Sequence, residues 1–269
     1  MDQAKVINIM VSIPNMGYTA VEAYGNRLMN FMKLGQLQRD RDYKSKLKGI
    51  LPDEKLNELF GVEDEVFNFY FVQVGRMFTP AAREEAAKKA VEYGCEWLFF
   101  IDDDMICPDD LFLKLYRHRF IADIVAPLAF TRNAPYKPVM YASISGWDEV
   151  NRSEYFINNT VMNYPRKKLV ECDAVGFGAA LIRVEMFKKI KAPWFMNSEG
   201  TGEDILFSYK VKKVGGRVFM DTSVNIGHVS HPTIITEDFV DEYRKTSDPM
   251  AGQRYPAFKK YEALTILGE

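Results

Sequence analysis

Three consecutive carboxylates, Asp102, Asp103 and Asp104, directly follow an unbroken apolar run from Trp97 to Ile101. Such a run predicts a strand that is buried on both faces of a sheet. Carboxylates at the end of a buried strand repel one another and lose hydration, which costs free energy unless cations or hydrogen-bond donors compensate them. Because hard oxygen ligands suit Mg²⁺ and Mn²⁺, the pattern predicts a divalent-cation site at this strand end.

A second pair of acids, Glu203 and Asp204, follows Gly202 at the start of a predicted helix. A carboxylate in this position can accept the proton of an attacking hydroxyl group, which would make it a general base. The alternative interpretation is that both acids only interact favourably with the helix dipole.

His228 is one of three histidines in the chain and follows a predicted strand that ends at Asp221. A neutral imidazole can join carboxylates around a divalent cation. His231 is the rival ligand three residues further on, and an ordinary loop histidine is the alternative interpretation.

Hydrophobic periodicity and turn residues predict strands alternating with helices, which indicates an α/β sandwich. Strands are predicted at Val6–Ile13, Phe67–Val74, Trp97–Ile101, Asp123–Phe130, Leu169–Ala174 and Arg217–Asp221. Helices are predicted at Ala20–Met32, from an N-cap at Thr79 to Gly94, from Asp109, at Val184–Ile190 and at Glu203–Val214. Residues 33–60 are interpreted as a helical insertion, residues 131–168 as irregular loops, and residues 233–269 as a C-terminal wrapping tail.

Composition excludes several classes of protein. The 35 basic and 37 acidic residues give a net charge of −2, so general nucleic-acid binding is not expected. No apolar stretch reaches the roughly 18 residues of a membrane span, and the N-terminus does not resemble a signal peptide. The three cysteines suggest no disulfide framework, which favours a cytoplasmic setting.

The segment Phe99-Phe100-Ile101-Asp102-Asp103-Asp104 resembles the hydrophobic-DxD signature of GT-A glycosyltransferases, including the small family-2-like enzymes of phages and bacteria. Gly202-Glu203-Asp204 resembles the GED motif of that family, and His228 lies where many members have a late metal-binding histidine. The resemblance covers about residues 6 to 231. It implies a Rossmann-like αβα sandwich with a mostly parallel central sheet, occupying residues 1–232.

The resemblance also implies roles for particular residues. Mn²⁺ or Mg²⁺ would be held by Asp102, Asp104 and His228, while Asp204 would be the general base and Glu203 would position the acceptor. The nucleotide-sugar would contact Pro14, Asn15, Arg76, Arg83, Asp102, Asp103, Gly176 and Gly178. The chain departs from the family pattern at Glu84, where an asparagine usually follows the arginine.

The implied activity is hexosyltransferase-like: transfer of a sugar from a UDP- or GDP-sugar donor to an acceptor hydroxyl. An Asp204 base favours inversion at the sugar carbon, but retaining and inverting enzymes share this scaffold, so the stereochemistry stays open. The acceptor, which could be a glycan, protein, lipid or nucleobase, stays open. One alternative is a non-catalytic sugar-nucleotide-binding module of the same fold. Another is a phosphohydrolase with an aspartyl nucleophile, although Met105-Ile106 replaces the Thr or Val that this chemistry usually has nearby.

Overall fold

The computed structural model of the protein describes residues 5–15, 21–60, 65–75, 77–148, 152–198, 201–230 and 233–246. The helices in these ranges are α1 (Val21–Leu47), α2 (Asp53–Phe60), α3 (Thr79–Glu92), α4 (Leu111–Tyr116), α5 (Glu185–Lys189), α6 (Glu203–Lys213) and α7 (Glu237–Thr246). The strands are β1 (Val6–Asn15), β2 (Val66–Gly75), β3 (Trp97–Ile101), β4 (Met105–Ile106), β5 (Ile124–Leu128), β6 (Met140–Asp148), β7 (Ser153–Thr160), β8 (Leu169–Cys172), β9 (Ala174–Val175), β10 (Ala179–Arg183), β11 (Val218–Asn225), β12 (Gly227–Ser230) and β13 (Thr233–Ile235).

The central sheet has seven strands in the order β2-β1-β3-β10-β5-β11-β8. The strands β2, β1, β3, β5 and β11 all run in one direction, whereas β10 and β8 run against them. One face of the sheet packs against α3, α5 and α6, and the other packs against α1 and α4. The predicted mixed α/β sandwich with a mostly parallel central sheet is therefore confirmed, and it is consistent with a Rossmann-like GT-A architecture.

Strand β3 lies in the middle of this sheet, between β1 and β10, and all five of its residues are buried. Leu98 and Phe100 contribute to one core, whereas Trp97, Phe99 and Ile101 contribute to the core on the opposite face. Because both faces are covered, the strand needs apolar side chains throughout, which is why its sequence shows no alternation. Its predicted bounds are confirmed.

A second, three-stranded sheet links the chain just after β3 to a segment far along the sequence. Strand β12 pairs antiparallel with β4, with Gly227 opposite Ile106 and His228 opposite Met105. The Val229 N–H also donates to the Asp104 carbonyl at 2.9 Å. This pairing fixes the backbone of His228 beside the acidic triplet.

Several sequence predictions were wrong in detail. Residues 131–168 are not simply loops, because β6 and β7 form an antiparallel hairpin with Tyr141 opposite Thr160. The N-cap of α3 is Phe78 rather than Thr79, and no side chain caps this helix. Helix α1 does not end at Met32 but continues to Leu47, so it enters the proposed 33–60 insertion without a break. The domain limits at residues 232 and 233 stay a prediction.

Two further predictions concern cysteines and membranes. Cys95, Cys107 and Cys172 are all buried and free. Burial raises the pKa of the Cys95 and Cys107 thiols to about 12, so these groups stay protonated at neutral pH. Among the helices described, none combines the length and the apolar character needed to cross a bilayer.

Candidate active site

The predicted site residues gather where the parallel strands end. Strand β1 runs beside β3 with Ser12 opposite Phe100, so Pro14 lies at the same sheet edge as Asp102. In open α/β sheets, ligands bind in the crevice outside the carboxyl ends of the strands. The fold thus places the acidic triplet where such proteins bind small molecules.

A buried arginine holds the first acid of the triplet. Arg83, on α3, is only 3% exposed, and its Nη2 donates to both Asp102 carboxylate oxygens at 3.0 and 2.9 Å. Its Nε lies 3.4 Å from a carboxylate oxygen of Glu203, at the start of α6. The guanidinium also packs against the rings of Phe100 and Phe177. We therefore expect Arg83 to position two acids from different elements, and its predicted contact with a nucleotide-sugar stays a prediction.

The protonation of Asp102 reflects this enclosed setting. Burial raises its pKa to about 6, although the Arg83 guanidinium lowers it, and the charges of Glu203 and Asp204 raise it further. The side chain is 24% exposed, so one surface of the carboxylate still meets solvent. Both carboxylate oxygens accept from Arg83, so a cation at Asp102 would have to share them with the guanidinium.

The start of α6 brings Asp204 into the same cluster. Its Oδ1 accepts a hydrogen bond from its own neighbour, the Ile205 N–H, at 2.7 Å. A Cβ atom at Gly202 would lie 2.8 Å from that oxygen, so a glycine at this position leaves room for the side chain to fold back over the helix end. Burial raises the pKa of Asp204, against a lowering influence from Arg83. Tyr141, on β6, has its pKa raised to about 12 by burial and by the charge of Asp204, so its phenol remains a proton donor close to that acid.

The third acid of the triplet faces a different partner. The Nε2 atom of His228 lies 3.4 Å from Oδ2 of Asp104, and its Nδ1 lies 2.8 Å from the Phe130 carbonyl. A carbonyl can only accept, so Nδ1 carries the proton and Nε2 keeps a lone pair that can accept a hydrogen bond. Burial lowers the pKa of His228, which favours this neutral tautomer.

Arg132 completes this second cluster, and sequence reasoning missed it. Its Nη2 donates to Asp104 Oδ2, and its Nε donates to His228 Nε2 at 3.1 Å. Arg132 lies in the stretch that was interpreted as irregular loops, and no local pattern distinguishes it from other loop arginines. Its role becomes visible only because β4 and β12 pair and bring His228 to the acidic triplet.

The donor atoms of Asp104 and His228 fit a divalent cation chemically. A carboxylate oxygen and a neutral imidazole nitrogen that is oriented by a backbone carbonyl are common metal ligands. However, within the described parts of the chain no three His, Cys, Asp or Glu side chains are arranged to hold a metal ion. Asp102, the third predicted ligand, pairs with Arg83. The three-ligand set of Asp102, Asp104 and His228 stays a prediction.

The two predicted loop glycines have packing roles. A Cβ atom at Gly176 would lie 2.8 Å from the Val139 Cβ, and one at Gly178 would lie 2.1 Å from the end of Met105. The Gly178 carbonyl also accepts from the Asp102 N–H at 2.7 Å. Their predicted contact with a nucleotide-sugar stays a prediction.

The remaining predicted nucleotide contacts are less well defined. Pro14 is buried near the end of β1, Asn15 ends that strand, and Asp103 is partly buried. Nothing is described for the Asn15 side chain. Arg76 and the rival metal ligand His231 lie outside the described residues.

The fold and the clustered acids thus define an α/β protein with a cluster of acidic, arginine and histidine side chains at the carboxyl ends of its parallel strands. No protein-family profile matches the sequence, and no curated protein matches it. Among solved structures, the crystal structure of A197 from STIV is similar over 86% of this chain and 91% of that one, with a TM-score of 0.52 and 17% identity. At that identity the likeness shows the fold alone.

Two further solved structures are similar at lower scores. A crystal structure of GalNAc-T7 with UDP, GalNAc and Mn²⁺ aligns with a TM-score of 0.46 and 16% identity, over 89% of this chain and 48% of that one. A crystal structure of apo-UDP-glucose pyrophosphorylase aligns with a TM-score of 0.41 and 10% identity, over 93% and 99% of the two chains. At these scores neither likeness bears on the function of this protein.

Proposed function

We propose that this protein is a metal-dependent glycosyltransferase that moves a sugar from a nucleotide-diphospho-sugar to an acceptor hydroxyl. One observation carries the proposal: two acid clusters from distant parts of the chain lie together at the carboxyl edge of the sheet. One contains Asp102, Glu203 and Asp204 around Arg83, and the other contains Asp104 and His228. A general base and a cation-binding pair near the same strand ends are the parts that this reaction needs.

Asp104 and His228 would hold Mn²⁺ or Mg²⁺, which when bound supplies a Lewis acid for the charge that develops on the departing diphosphate. The carboxylate of Asp204 would take the proton of the acceptor hydroxyl as that oxygen bonds to the anomeric carbon. The bond from this carbon to the diphosphate oxygen breaks, and attack from the opposite face inverts the centre. Burial raises the pKa of Asp204, which makes it a stronger base than an ordinary aspartate.

Glu203 and Arg83 would keep this base in place. The ion pair between them links the first turn of α6 to α3, and the same guanidinium fixes Asp102 at the end of β3. Holding catalytic groups rigidly near their reacting geometry lowers the entropic part of the barrier.

A screen of UDP- and GDP-sugars with and without Mn²⁺ tests the proposal. A ligand that binds the folded state raises the melting temperature, because it stabilises by RT ln(1 + [L]/Kd). We expect a donor that stabilises the protein only with Mn²⁺ and that is consumed when a suitable acceptor is present. Donor binding without turnover over a broad acceptor panel would instead favour a non-catalytic sugar-nucleotide-binding module.

The base is tested by Asp204→Asn, which should lower kcat by about 100-fold or more with little change in donor KM. The pH profile of the wild type should fall on the acid side at a higher pH than an ordinary aspartate would give, because the pKa of Asp204 is raised. Glu185→Gln is a matched control, since Glu185 is also a first-turn acid but lies on α5. Equal losses in both variants would remove Asp204 from the mechanism.

A further inference from the structure

Arg132 occupies the position between Asp104 and His228 that a cation would need. Its guanidinium contacts the carboxylate through Nη2 and the imidazole nitrogen through Nε, so it uses the same two donor atoms that the proposed metal would use. A positive group bound to these atoms and a divalent cation bound to them exclude one another. Loading the pair with metal therefore requires the guanidinium to leave.

The side chain can leave without disturbing the fold. It is 52% exposed, in contrast to the 19% of Asp104. The backbone around it is anchored independently, since the Thr131 N–H donates to the Lys137 carbonyl at 2.8 Å and Ser230 Oγ donates to the Arg132 carbonyl at 3.1 Å. A rotation of the Arg132 side chain alone would expose Asp104 and His228.

A displaced arginine needs a new anionic partner to offset the contact that it gives up. A diphosphate offers one, because a guanidinium binds phosphate oxygens through two parallel hydrogen bonds. The diphosphate of the donor is also the group that the cation would bridge in the proposed function. Binding of the diphosphate and binding of the cation would then both take place within the reach of the Arg132 side chain.

We propose that Arg132 is a built-in competitor for the Asp104–His228 pair, and that it is drawn away by the donor diphosphate so that the cation and the nucleotide bind cooperatively. This inference rests on the proposed function and deepens it, because it assigns a residue to the order in which ligands are loaded. Binding free energies are linked reciprocally, so a nucleotide that removes Arg132 must tighten metal binding, and the metal must tighten nucleotide binding by the same factor.

Direct titration with Mn²⁺, followed by the electron paramagnetic resonance signal of the free ion, measures this coupling without any turnover. The titration is done on the wild type, Arg132→Gln and Arg132→Lys, each with no nucleotide, with UDP and with GDP. A parallel titration of each nucleotide alone corrects for Mn²⁺ bound in solution. Arg166→Gln is the matched control, because Arg166 is also 52% exposed and paired with a carboxylate, that of Asp241.

Without nucleotide, we expect Arg132→Gln to bind Mn²⁺ at least about fivefold more tightly than the wild type, which is the lower end of usual coupling between sites. UDP or GDP should tighten Mn²⁺ binding in the wild type and much less in Arg132→Gln. Arg132→Lys keeps the positive charge and should lie between the two, whereas Arg166→Gln should behave as the wild type.

Either of two results overturns the inference: Arg132→Gln binds Mn²⁺ no more tightly than the wild type, or a nucleotide tightens Mn²⁺ binding equally in the wild type and in Arg132→Gln. The proposed function still stands in either case if sugar transfer depends on Mn²⁺. If neither the wild type nor any variant binds Mn²⁺ with or without nucleotide, the proposed metal-dependent function fails together with the inference. Circular dichroism of each variant checks that the fold is intact, so that a loss of binding is not mistaken for unfolding.

Discussion

Two arginine clusters flank the acidic triplet, and they differ in how far the arginine side chain is buried. Arg83 is 3% exposed and pairs with Asp102 and Glu203, whereas Arg132 is 52% exposed and pairs with Asp104. The aspartate side chains themselves are similarly exposed, Asp102 at 24% and Asp104 at 19%. Asp102 and Asp104 are only two positions apart in the sequence. The comparison shows that two acids of one short motif, with similar exposure, can pair with arginines of very different burial.

The difference follows from how charges are solvated. A buried ion pair has lost its hydration, so removing one partner leaves an uncompensated charge in a medium of low polarity. An exposed pair keeps much of its hydration, and its loss costs little because water replaces the missing partner. Arg83 is therefore expected to matter for stability, and Arg132 for ligand binding.

The largest effect on stability is expected at the buried cluster. Arg83→Gln leaves Asp102 and Glu203 without their shared cation, and this should lower the free energy of unfolding by about 3 to 5 kcal/mol. Urea denaturation followed by circular dichroism measures the change. A loss below about 1 kcal/mol would mean that the two clusters are energetically alike, and the contrast drawn above would be wrong.

The next largest effect concerns the exposed cluster and its ligands. Asp104→Asn removes the carboxylate from the Asp104–His228 pair, so Mn²⁺-dependent donor binding should be lost and sugar transfer should fall by about 100-fold or more. The measurement is the Mn²⁺-dependent shift in melting temperature with a nucleotide-sugar, together with the initial rate of transfer. Full activity in this variant would exclude Asp104 as a metal ligand.

A smaller effect is expected in the pH dependence of stability. The pKa of Asp102 is raised from 3.8 to about 6 in the folded protein, so the folded state holds this proton more tightly than the unfolded chain does. The stabilising contribution of the protonated Asp102 carboxyl is fully present below the ordinary pKa of an aspartate and is lost as the pH rises through about 6. The free energy of unfolding changes there by at most about 1.4 kcal/mol per pH unit. Asp102→Asn should flatten the unfolding free energy across this window, and parallel curves for variant and wild type would contradict the assignment.

The smallest effect is the stability change in Arg132→Gln, the same substitution as at the buried cluster. We expect the free energy of unfolding to change by less than about 1 kcal/mol, because water can solvate Asp104 when the exposed guanidinium is removed. The same urea denaturation experiment gives the value. A loss comparable to that of Arg83→Gln would indicate that Arg132 is a structural residue and does not exchange partners.

Local sequence patterns predicted those elements whose own residues indicate their structure and burial. The bounds of β3 were predicted to the residue, since its five apolar side chains report burial on both faces of the sheet. The start of α6 at Glu203 was also predicted, and this placed the second acid pair at a helix end. The acids themselves were identified because their charge is costly next to such elements.

Contacts between distant segments could not be predicted in the same way. Strand β10 was not among the predicted strands, because its five residues show their role only when β3 and β5 lie on either side of them. The β6–β7 hairpin lies in a stretch rich in turn-forming residues, where long-range pairing overrides local preference. The same limitation hid the pairing of Asp102 with Arg83. The contact of Arg83 with a nucleotide stays a prediction.

The antiparallel pairing of β4 with β12 also affects the order in which contacts form during folding. Arg83 and Asp102 are 19 residues apart in the chain, whereas Arg132 and His228 are 96 apart. Contacts between nearby residues close at a lower entropic cost, so they tend to form earlier than contacts that join distant segments. During synthesis on the ribosome, the Arg83–Asp102 ion pair can form while β12 is still missing, and the proposed cation-binding pair can only be completed after His228 has emerged.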